Sequence, residues 1–600
     1  MVRNWIHIIV FVASLVLSSG VLTPLSAQYT GLLQKNELAD GLRTTQILDT
    51  VSSVKQNLRD YSFTIRPIMP EVWEKPTKNG IKLTRVGYSR IFNDSVPLHI
   101  NNESFYSATG WQERFTAGVQ LKLGRLLVDF QPEMVKAENL KQASISDRYN
   151  DPNYFTRLYF MQLNVIDWPW QVGTKPLEKM YLGQSAARVV FDHLSVGLSN
   201  ENIWWGPGRR NSLIMTNNAP GFLHADIKTV KPVKTIFGGI EMQAVFGKLD
   251  SSGVEPFENV RQQRFWPGAY VPKENIRRQL LGFVFSWQPK WVPNLYVGYA
   301  AAYYGYVKYE LPNGESIPRY PFTQTQVKGK GTSLGSIFFR YSMPKDRAEI
   351  YGELGTGDRL PSPWSILGDT IPFGYVAGLR KWMKLRGQHY IELSMEISHL
   401  QLPDPRLIYN SSAPFGAPKT NSWYTHAQIR QGYTNQGQML GAGVGPGGNS
   451  QFLGLSWVHK TNRIGVHGER WVHNNDMNYL QQLPGNLGYG PFYRGWVSFT
   501  YGAHLQWRVA GLYLSAAVNK GISLNYQWVK VDGGDYGPSS SDKKVMNMAL
   551  TAQYELPWRL EWRWPKTGIN QRIKKFGDKI GWPFCDCKFG FKRKETLPPQ

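Results

Sequence analysis

Residues 202–222, NIWWGPGRRNSLIMTNNAPGF, combine paired tryptophans, paired arginines and paired asparagines in a stretch broken by glycine and proline. Aromatic rings stack on the apolar C–H faces of sugars, and amide side chains form hydrogen bonds with sugar hydroxyls. Arginine adds a cation that binds carboxylate or phosphate groups. The predicted polysaccharide-binding residues of this stretch are Trp204, Trp205, Arg209, Arg210, Asn217 and Asn218. The alternative is a sharp corner whose residues only hold a loop together.

Two later stretches, 423–451 and 468–479, repeat the mixture of aromatic, amide and arginine side chains. The same chemistry predicts further polysaccharide contacts there, at Trp423, Tyr424, Arg430, Tyr433, Arg470, Trp471 and Asn474. For each of them, packing within a tight loop remains the alternative role.

Carboxylates that could hydrolyse a glycoside occur as two pairs, Glu349 with Glu353 and Glu392 with Glu396. On one strand, residues four apart are separated by about 13 Å. The two carboxylates of a glycosidase lie roughly 5 to 10 Å apart. We therefore expect these side chains to line a polar lumen.

Other catalytic signatures are weak. The histidines His399, His426, His467 and His473 form a loose group, and the chain has no H-E-x-x-H motif. The glycine-rich stretch 441–448 precedes an alternating segment, whereas a dinucleotide site requires a helix there. The sequence thus predicts no catalytic residue, no metal site and no cofactor. A hydrolase that uses a histidine and a carboxylate remains an alternative.

The elements that position these residues are predicted to be strands. From about residue 80 onward, apolar and polar side chains alternate, for example in WQERFTAGVQLKL (111–123) and GWVSFTYGAHLQWR (495–508). Such segments are about ten residues long, which suits a tilted strand that crosses a bilayer. Their spacing gives roughly 16 to 20 antiparallel strands. We therefore predict an all-β fold, a transmembrane β-barrel whose long Gly/Pro/Asn-rich loops face outward. A soluble β-sandwich or propeller is the alternative.

The N-terminal region precedes the barrel. Arg3, an apolar stretch from Ile6 to Leu17 and the small-residue site at 25–27 predict a signal peptide over residues 1–27. Apolar residues at helical spacing predict one short helix over residues 44–59.

Charge and cysteine content add two constraints. The formal net charge of +24 indicates an anionic partner, such as lipid phosphate or acidic polysaccharide, and export makes nucleic acid the least suitable. The two cysteines, Cys585 and Cys587, cannot build a disulfide framework.

Three motifs resemble the capsule assembly protein Wzi family: LSNENIWWGPGRRNSLIMTNNAPGF (198–222), WYTHAQIRQGYTNQGQMLGAGVGPGGNSQ (423–451) and GERWVHNNDMNY (468–479). AEIYGELGTGD (348–358) looks like a further family segment. The resemblance implies a barrel of about 18 strands, an even number as in bacterial barrels, with a small periplasmic helical element. It also implies a lectin that holds capsular or related exopolysaccharide at the surface of a Gram-negative cell.

The resulting organisation has four parts. We predict a signal peptide at 1–27, a periplasmic segment with a short helix at 28–75, the outer-membrane barrel at 76–556 and a basic tail at 557–600. The expected function is non-enzymatic: a monomeric outer-membrane lectin, in contact with membrane lipid and lipopolysaccharide, that gains affinity from many weak contacts along a polymer. A porin or polysaccharide export channel is the first alternative and a barrel hydrolase the second.

Overall fold

A computed structural model provides the structure. It describes residues 35–48, 61–65, 79–97, 100–142, 162–173, 175–254, 270–274, 278–306, 331–357, 373–402, 422–476, 495–509, 511–528, 541–554, 556 and 559–562. The predicted signal peptide, most of the basic tail with both cysteines, and residues 49–59 of the predicted helix lie outside these ranges.

The strands form a closed antiparallel barrel with 18 strand positions, as predicted. Fourteen positions are single strands: β1 (Asn79–Asn93), β2 (Gly110–Leu123), β7 (Leu194–Ser199), β10 (Gly238–Leu249), β11 (Arg278–Pro289), β12 (Leu295–Tyr306), β13 (Gly331–Met343), β14 (Ala348–Thr356), β15 (Phe373–Lys384), β16 (His389–His399), β19 (Asn449–His459), β20 (Asn462–His473), β21 (Trp496–Val509) and β22 (Leu512–Leu524).

Four barrel positions consist of two shorter strands each. These pairs are β3 (Leu126–Phe130) with β4 (Glu133–Ala137), β5 (Leu177–Tyr181) with β6 (Ala186–Val190), β8 (His224–Thr229) with β9 (Val233–Thr235), and β23 (Lys543–Tyr554) with β24 (Arg559–Trp562). Both β23 and β24 pair with β1, which closes the barrel. The barrel thus extends to Trp562, six residues beyond the predicted boundary at 556. Outside the wall, β17 (Thr434–Asn435) and β18 (Gln438–Met439) form a small hairpin.

The two ends of the barrel differ. Short turns, such as 124–125 and 460–461, join strands at one end, whereas the connections at the other end are long, such as 200–223 and 400–448. In outer-membrane barrels the long loops are extracellular and the short turns periplasmic. This rule assigns a direction to every strand.

Alternation along the strands separates a membrane-facing surface from a lumen, as predicted. On β21, Phe499 and Tyr501 are exposed on the outer wall, while Ser498 points inward and is buried. Exposed apolar side chains recur around the wall, for example Leu198, Ile227 and Val466. A continuous apolar outer band of this kind is the surface that a barrel presents to lipid.

No helix among the described residues is long and apolar enough to cross a membrane. Helix α1 (Lys35–Leu48) begins nine residues before the predicted helix and overlaps it over residues 44–48. Its last residues, Ile47 and Leu48, pack on Trp382, Tyr390 and Val458 near the short turns. Helix α1 therefore lies at the end of the lumen that the loop lengths assign to the periplasm.

Candidate functional site

The lumen segment, residues 200–222, connects β7 to β8 and folds inward from the long-loop end. Backbone bridges join Trp205 to Met215 within the segment and to Ile65 of the N-terminal region. The chain reverses through Gly206, whose φ is +116°, and a Cβ there would lie 2.8 Å from a Glu353 carboxylate oxygen. Glycine is required because L-residues with a side chain rarely adopt this φ and no room exists for one. The Gly-Pro-Gly motif thus produces a tight reversal inside the barrel.

Trp205 is fully buried within the barrel. Its indole Nε1 donates a hydrogen bond to Gln243 Oε1 at 3.0 Å, and the ring lies against Gly282, where a Cβ would come within 2.6 Å of it. Three later residues of the lumen segment, Leu213, Ile214 and Met215, belong to the same buried apolar core. The hydrogen bond to Gln243 satisfies the one polar atom of the indole. Because the rest of the ring is buried among apolar groups, Trp205 is a packing residue.

Two of the paired glutamates bind the backbone of this segment. The Glu396 carboxylate accepts hydrogen bonds from the backbone N–H groups of Arg209 at 2.7 Å and Asn211 at 2.8 Å. Glu353 accepts one from the Ser212 hydroxyl at 2.8 Å and one from the Leu213 N–H at 3.2 Å. The expectation that these carboxylates line the lumen is correct, and their partners belong to the lumen segment.

A charge cluster joins the lumen segment, α1 and the barrel wall. It consists of Asp40, Arg43, Arg209, Arg340, Glu349, Arg380, Glu392 and Arg463. Arg209 contacts Asp40 of α1 at 2.7 Å and Glu392 of β16 at 3.4 Å. Arg380 contacts Asp40 at 3.0 Å, Glu349 at 3.1 Å and Glu392 at 3.0 Å. Buried charges with several partners tie the elements that carry them to one arrangement.

The charge state of Asp40 follows from this cluster. Burial alone would raise the pKa of Asp40, but the guanidinium groups of Arg209, Arg380 and Arg463 hold it well below its usual range. Asp40 therefore stays ionised and keeps α1 attached to the arginines of the lumen.

Arg210 points in a different direction from Arg209. Its guanidinium contacts Glu469 of β20 at 2.5 Å and lies over the Phe452 ring, 4.4 Å from the centroid. Both arginines of the motif are thus inside the lumen, about three-quarters buried, with wall carboxylates as partners.

A second insertion, residues 423–448, packs on the lumen segment from above. The Tyr424 hydroxyl donates a hydrogen bond to the Leu213 carbonyl and accepts one from the Ala442 N–H, both at 2.8 Å. The Tyr433 ring stacks near Tyr304 and Tyr424, and Trp423 lies against Gly374. All three predicted aromatic residues of this insertion are fully buried. Burial raises the pKa of Tyr424, which stays a neutral hydrogen-bonding group.

The predicted asparagines attach the lumen segment to neighbouring loops. Asn218 accepts a hydrogen bond from the Asn101 N–H at 3.1 Å and donates one to the Met439 carbonyl at 3.3 Å. The Asn217 carbonyl accepts a hydrogen bond from the Glu103 N–H at 2.8 Å. Both amides are buried, so they connect loops to one another.

The loop cap, formed by residues 162–173, 270–274 and 426–431, covers this core at the long-loop end. The His426 N–H bonds the Val165 carbonyl, and the Gln431 side chain bonds the Glu274 carbonyl at 2.7 Å. The Lys273 ammonium donates to the Leu163 carbonyl at 2.9 Å. Side chains from three distant stretches thereby form one surface.

Arg430 is the predicted residue that this surface presents. It is partly exposed, and its guanidinium makes one long hydrogen bond, 3.4 Å, to the Pro272 carbonyl within the described residues. The Lys273 cation lies close enough to act on it electrostatically. Gln428 is exposed beside them. Two cations and an amide therefore share the loop cap.

The remaining predicted residues lie elsewhere. Arg470 is exposed on the outer wall, where it donates to Gln451 Oε1 at 2.9 Å. Trp471 is buried and bonds the Val444 carbonyl at 3.2 Å, and Asn474 is buried at the end of β20. Trp204 is half-buried next to Trp205.

The structure therefore brings most predicted residues into one buried core and leaves Arg430 on the loop cap. Their role in polysaccharide binding stays a prediction. The buried residues have no surface to offer a polysaccharide directly, so they would contribute only by holding the loops in place. The sequence reasoning missed Asp40, Arg43, Arg380 and Lys273. Inward arginine and glutamate at alternate positions of β14–β16 were the available signal, because an apolar-out strand places them in the lumen.

Two serine–histidine pairs bear on the hydrolase alternative. His473 Nε2 lies 2.9 Å from Ser498 Oγ, and His504 Nε2 lies 3.2 Å from Ser456 Oγ. Ser498 and Ser456 are both buried, and His473 is stacked between the rings of Trp471 and Trp496. A nucleophile must be accessible to its substrate, so these pairs favour a packing role.

No protein-family model matches the chain, and no curated protein matches it. Among solved structures, it is similar to Wzi of Escherichia coli, described as an outer membrane protein involved in group 1 capsule assembly and a carbohydrate-binding β-barrel. The identity is 13%, the likeness covers 88% of this chain and 92% of that chain, and the TM-score is 0.50.

Two further similar structures have lower TM-scores. A BenF-like porin from Pseudomonas fluorescens has 9% identity, 80% and 98% coverage of this chain and that one, and a TM-score of 0.35. OccAB2 of Acinetobacter baumannii has 10% identity, 81% and 98% coverage, and a TM-score of 0.36. At such identities the likeness to Wzi establishes the fold alone: that of an outer-membrane β-barrel.

Proposed function

We propose that the protein is a lectin-like barrel that binds an acidic extracellular polysaccharide, of the capsular kind, at the loop cap and anchors it to the cell surface. The observation that carries the proposal is the filled interior. The lumen segment, residues 423–448 and α1 occupy the barrel, and the loop cap rests on them. A fixed surface of this kind is suited to binding, because its loops lose little conformational entropy when a ligand binds.

The chemistry of the loop cap indicates an acidic glycan. Arg430 supplies a planar fork of donors for a carboxylate, and Lys273 adds a second cation. The exposed Gln428 can bond sugar hydroxyls. Each contact is weak, so a repeating polymer that engages many copies of the protein on one cell would be retained by avidity. The function requires no bond cleavage.

The experiment is a retention assay with immobilised full-length protein. Polygalacturonate serves as the acidic probe and dextran as the neutral one. We expect retention of polygalacturonate, about tenfold weaker for Arg430→Ala combined with Lys273→Ala, and weaker at high salt because exposed charges are screened. The control is Lys290→Ala, an exposed lysine in the short turn after β11. Equal retention by the double variant and the control would refute the proposal.

A diffusion channel is the second candidate, and one feature favours it. The inward-facing Thr500, Gln506 and Asn519, on β21 and β22, are small or polar and only half-buried. They lie on the two strands that follow β20, where Gln506 is the lateral partner of Arg463 of the charge cluster. Steady conductance of purified protein in planar bilayers would favour the channel, whereas the absence of conductance would favour the lectin.

A further inference from the structure

The outer wall formed by β19–β23 carries a groove that faces the membrane. Its lining includes Leu453, Val466, Gly468, Tyr501, Val518 and Lys520. A Cβ at Gly468 would have one neighbour, the Thr500 carbonyl oxygen at 3.9 Å, so the missing side chain leaves open space at the floor. Leu453 and Tyr501 are the lateral partners of Gly468, and both are about half exposed or more. We define these six residues as the outer-wall groove.

Strand register arranges the surface around the groove in rows. The row above contains Gln451, Arg470, Phe499, Ile522 and Lys544 as successive lateral partners. The groove row runs through Leu453, Gly468, Tyr501, Lys520 and Met546, and the row below through Leu455, Val466, Ala503, Val518 and Met548. Polarity therefore changes along the strands: the two upper rows carry cations and the lower row is apolar.

The direction of the strands places the cations in the outer leaflet. Arg470, Lys520 and Lys544 lie toward the long-loop end, which is extracellular by loop length. All three are exposed, and none of the fifteen side chains in the three rows is a carboxylate. Within the described residues, neither Lys520 nor Lys544 forms an ion pair, while Arg470 is held by Gln451 and Asn449. These charges thus face the headgroup level of the membrane without an acidic partner in the rows.

We propose that the outer-wall groove binds a phosphorylated glycolipid of the outer leaflet, with the chemistry of lipid A. Arg470 and Lys544 are three strands apart, about 14 Å, and Lys520 lies between them one row lower. Cations spread over that width suit two phosphates on a disaccharide better than one phosphodiester. The exposed Tyr501 ring gives the sugar an apolar face, and the acyl chains lie along the apolar row below. Arginine and lysine bind phosphate through charge-assisted hydrogen bonds.

This site is independent of the loop cap, because the groove lies on the membrane side of the wall. Native mass spectrometry of the full-length protein in detergent tests it. The probes are bisphosphorylated lipid A, its dephosphorylated form and phosphatidylglycerol. We expect one lipid A to bind, about tenfold weaker binding of the dephosphorylated form, and a similar loss for Lys520→Gln combined with Lys544→Gln. Gly468→Leu fills the groove and should reduce binding without removing a charge.

The matched control is Lys290→Gln combined with Lys384→Gln, two exposed lysines near the short turns. Equal lipid A binding by the Lys520/Lys544 variant and this control would overturn the proposal. So would phosphatidylglycerol binding that matches lipid A and falls in the same variants, which would identify a phospholipid site. A dimer that Gly468→Leu dissociates without lipid would instead identify an interface between copies. Polygalacturonate retention should be unchanged in all groove variants, so that the two proposals fail or hold separately.

Discussion

Arg380 illustrates how one inward side chain connects three parts of the chain. It projects from β15, contacts Asp40 of α1 and binds Glu349 and Glu392 of the neighbouring strands. Arg209 repeats the arrangement from the lumen segment. Ion pairs of the charge cluster therefore determine where α1 and the lumen segment attach to the wall. Apolar packing fills the lumen between this cluster and the loop cap.

Replacing Asp40 with alanine should detach α1 from this cluster. Arg209 and Arg380 would lose a shared carboxylate but keep Glu392, so the loss should be smaller than the roughly 3 kcal/mol of a buried charge left without any partner. We expect faster proteolysis of the N-terminal region of the folded protein and transient conductance in planar bilayers. Asp192→Ala, an exposed aspartate in the short turn after β6, provides the control. Unchanged proteolysis and conductance would show that α1 is held by other contacts.

Asp476 introduces a dependence on pH. It accepts a hydrogen bond from the Leu402 N–H at 2.8 Å and another from the Ser422 hydroxyl. Burial raises the pKa of Asp476 to about 6, above the value near 4 of an unfolded chain. The folded protein therefore binds this proton more tightly. The resulting stability is fully present below about pH 4 and is lost as the pH rises through 6.

Hydrogen exchange at the Leu402 amide measures this effect. Protection should fall by up to about 3 kcal/mol between pH 4 and pH 7, after correction for intrinsic exchange. Asp476→Asn, which is neutral at every pH, should flatten the profile. A profile that keeps its slope in this variant would assign the titration to another group.

At the scale of elements, the lumen segment depends on backbone that only glycine can adopt. Gly206 has a positive φ, and Ser212 and Glu353 occupy the position that a side chain would need. The same segment supplies the N–H groups that Glu353 and Glu396 bind. Its conformation is thus fixed by the turn and by the wall together.

Gly206→Ala should displace the lumen segment. The strained φ costs about 1 to 3 kcal/mol, and the contact with Ser212 and Glu353 adds to that. We expect a lower thermal unfolding midpoint and greater exposure of Trp205, read by oxidative labelling of that residue followed by mass spectrometry. Gly124→Ala is the matched control, because Gly124 also has a positive φ but no atom within 4 Å of the added Cβ. Equal shifts in both variants would mean that backbone strain, and not the lumen contact, is responsible.

At the scale of the whole molecule, alternation predicted the barrel well because period-two burial is a local property that each strand carries by itself. Outward Phe499 and inward Ser498 are assigned correctly from sequence. The location of Trp205 and Arg209 was not predictable in this way. A loop rich in tryptophan and arginine has the same composition whether it faces solvent or folds into a lumen, and its partners, such as Glu396 and Asp40, are distant in sequence. Among the predicted binding residues, Arg430 differs from Trp205 and Arg209 because it lies on the loop cap and is partly exposed.

Closure of the barrel provides the last prediction. Strand β24 pairs Arg559–Trp562 with Asn79–Lys82, whereas β23 pairs with Val86–Asn93 higher on β1. A chain that ends at Leu556 would leave residues 79–82 of β1 without this partner, and unpaired backbone at membrane depth is costly. We expect that chain to lose its compact, heat-modifiable band on SDS gels at a lower temperature. A chain that ends at Trp562 keeps the pairing and should behave like the full protein. Equal behaviour of the two truncations would place the functional end of the barrel at 556.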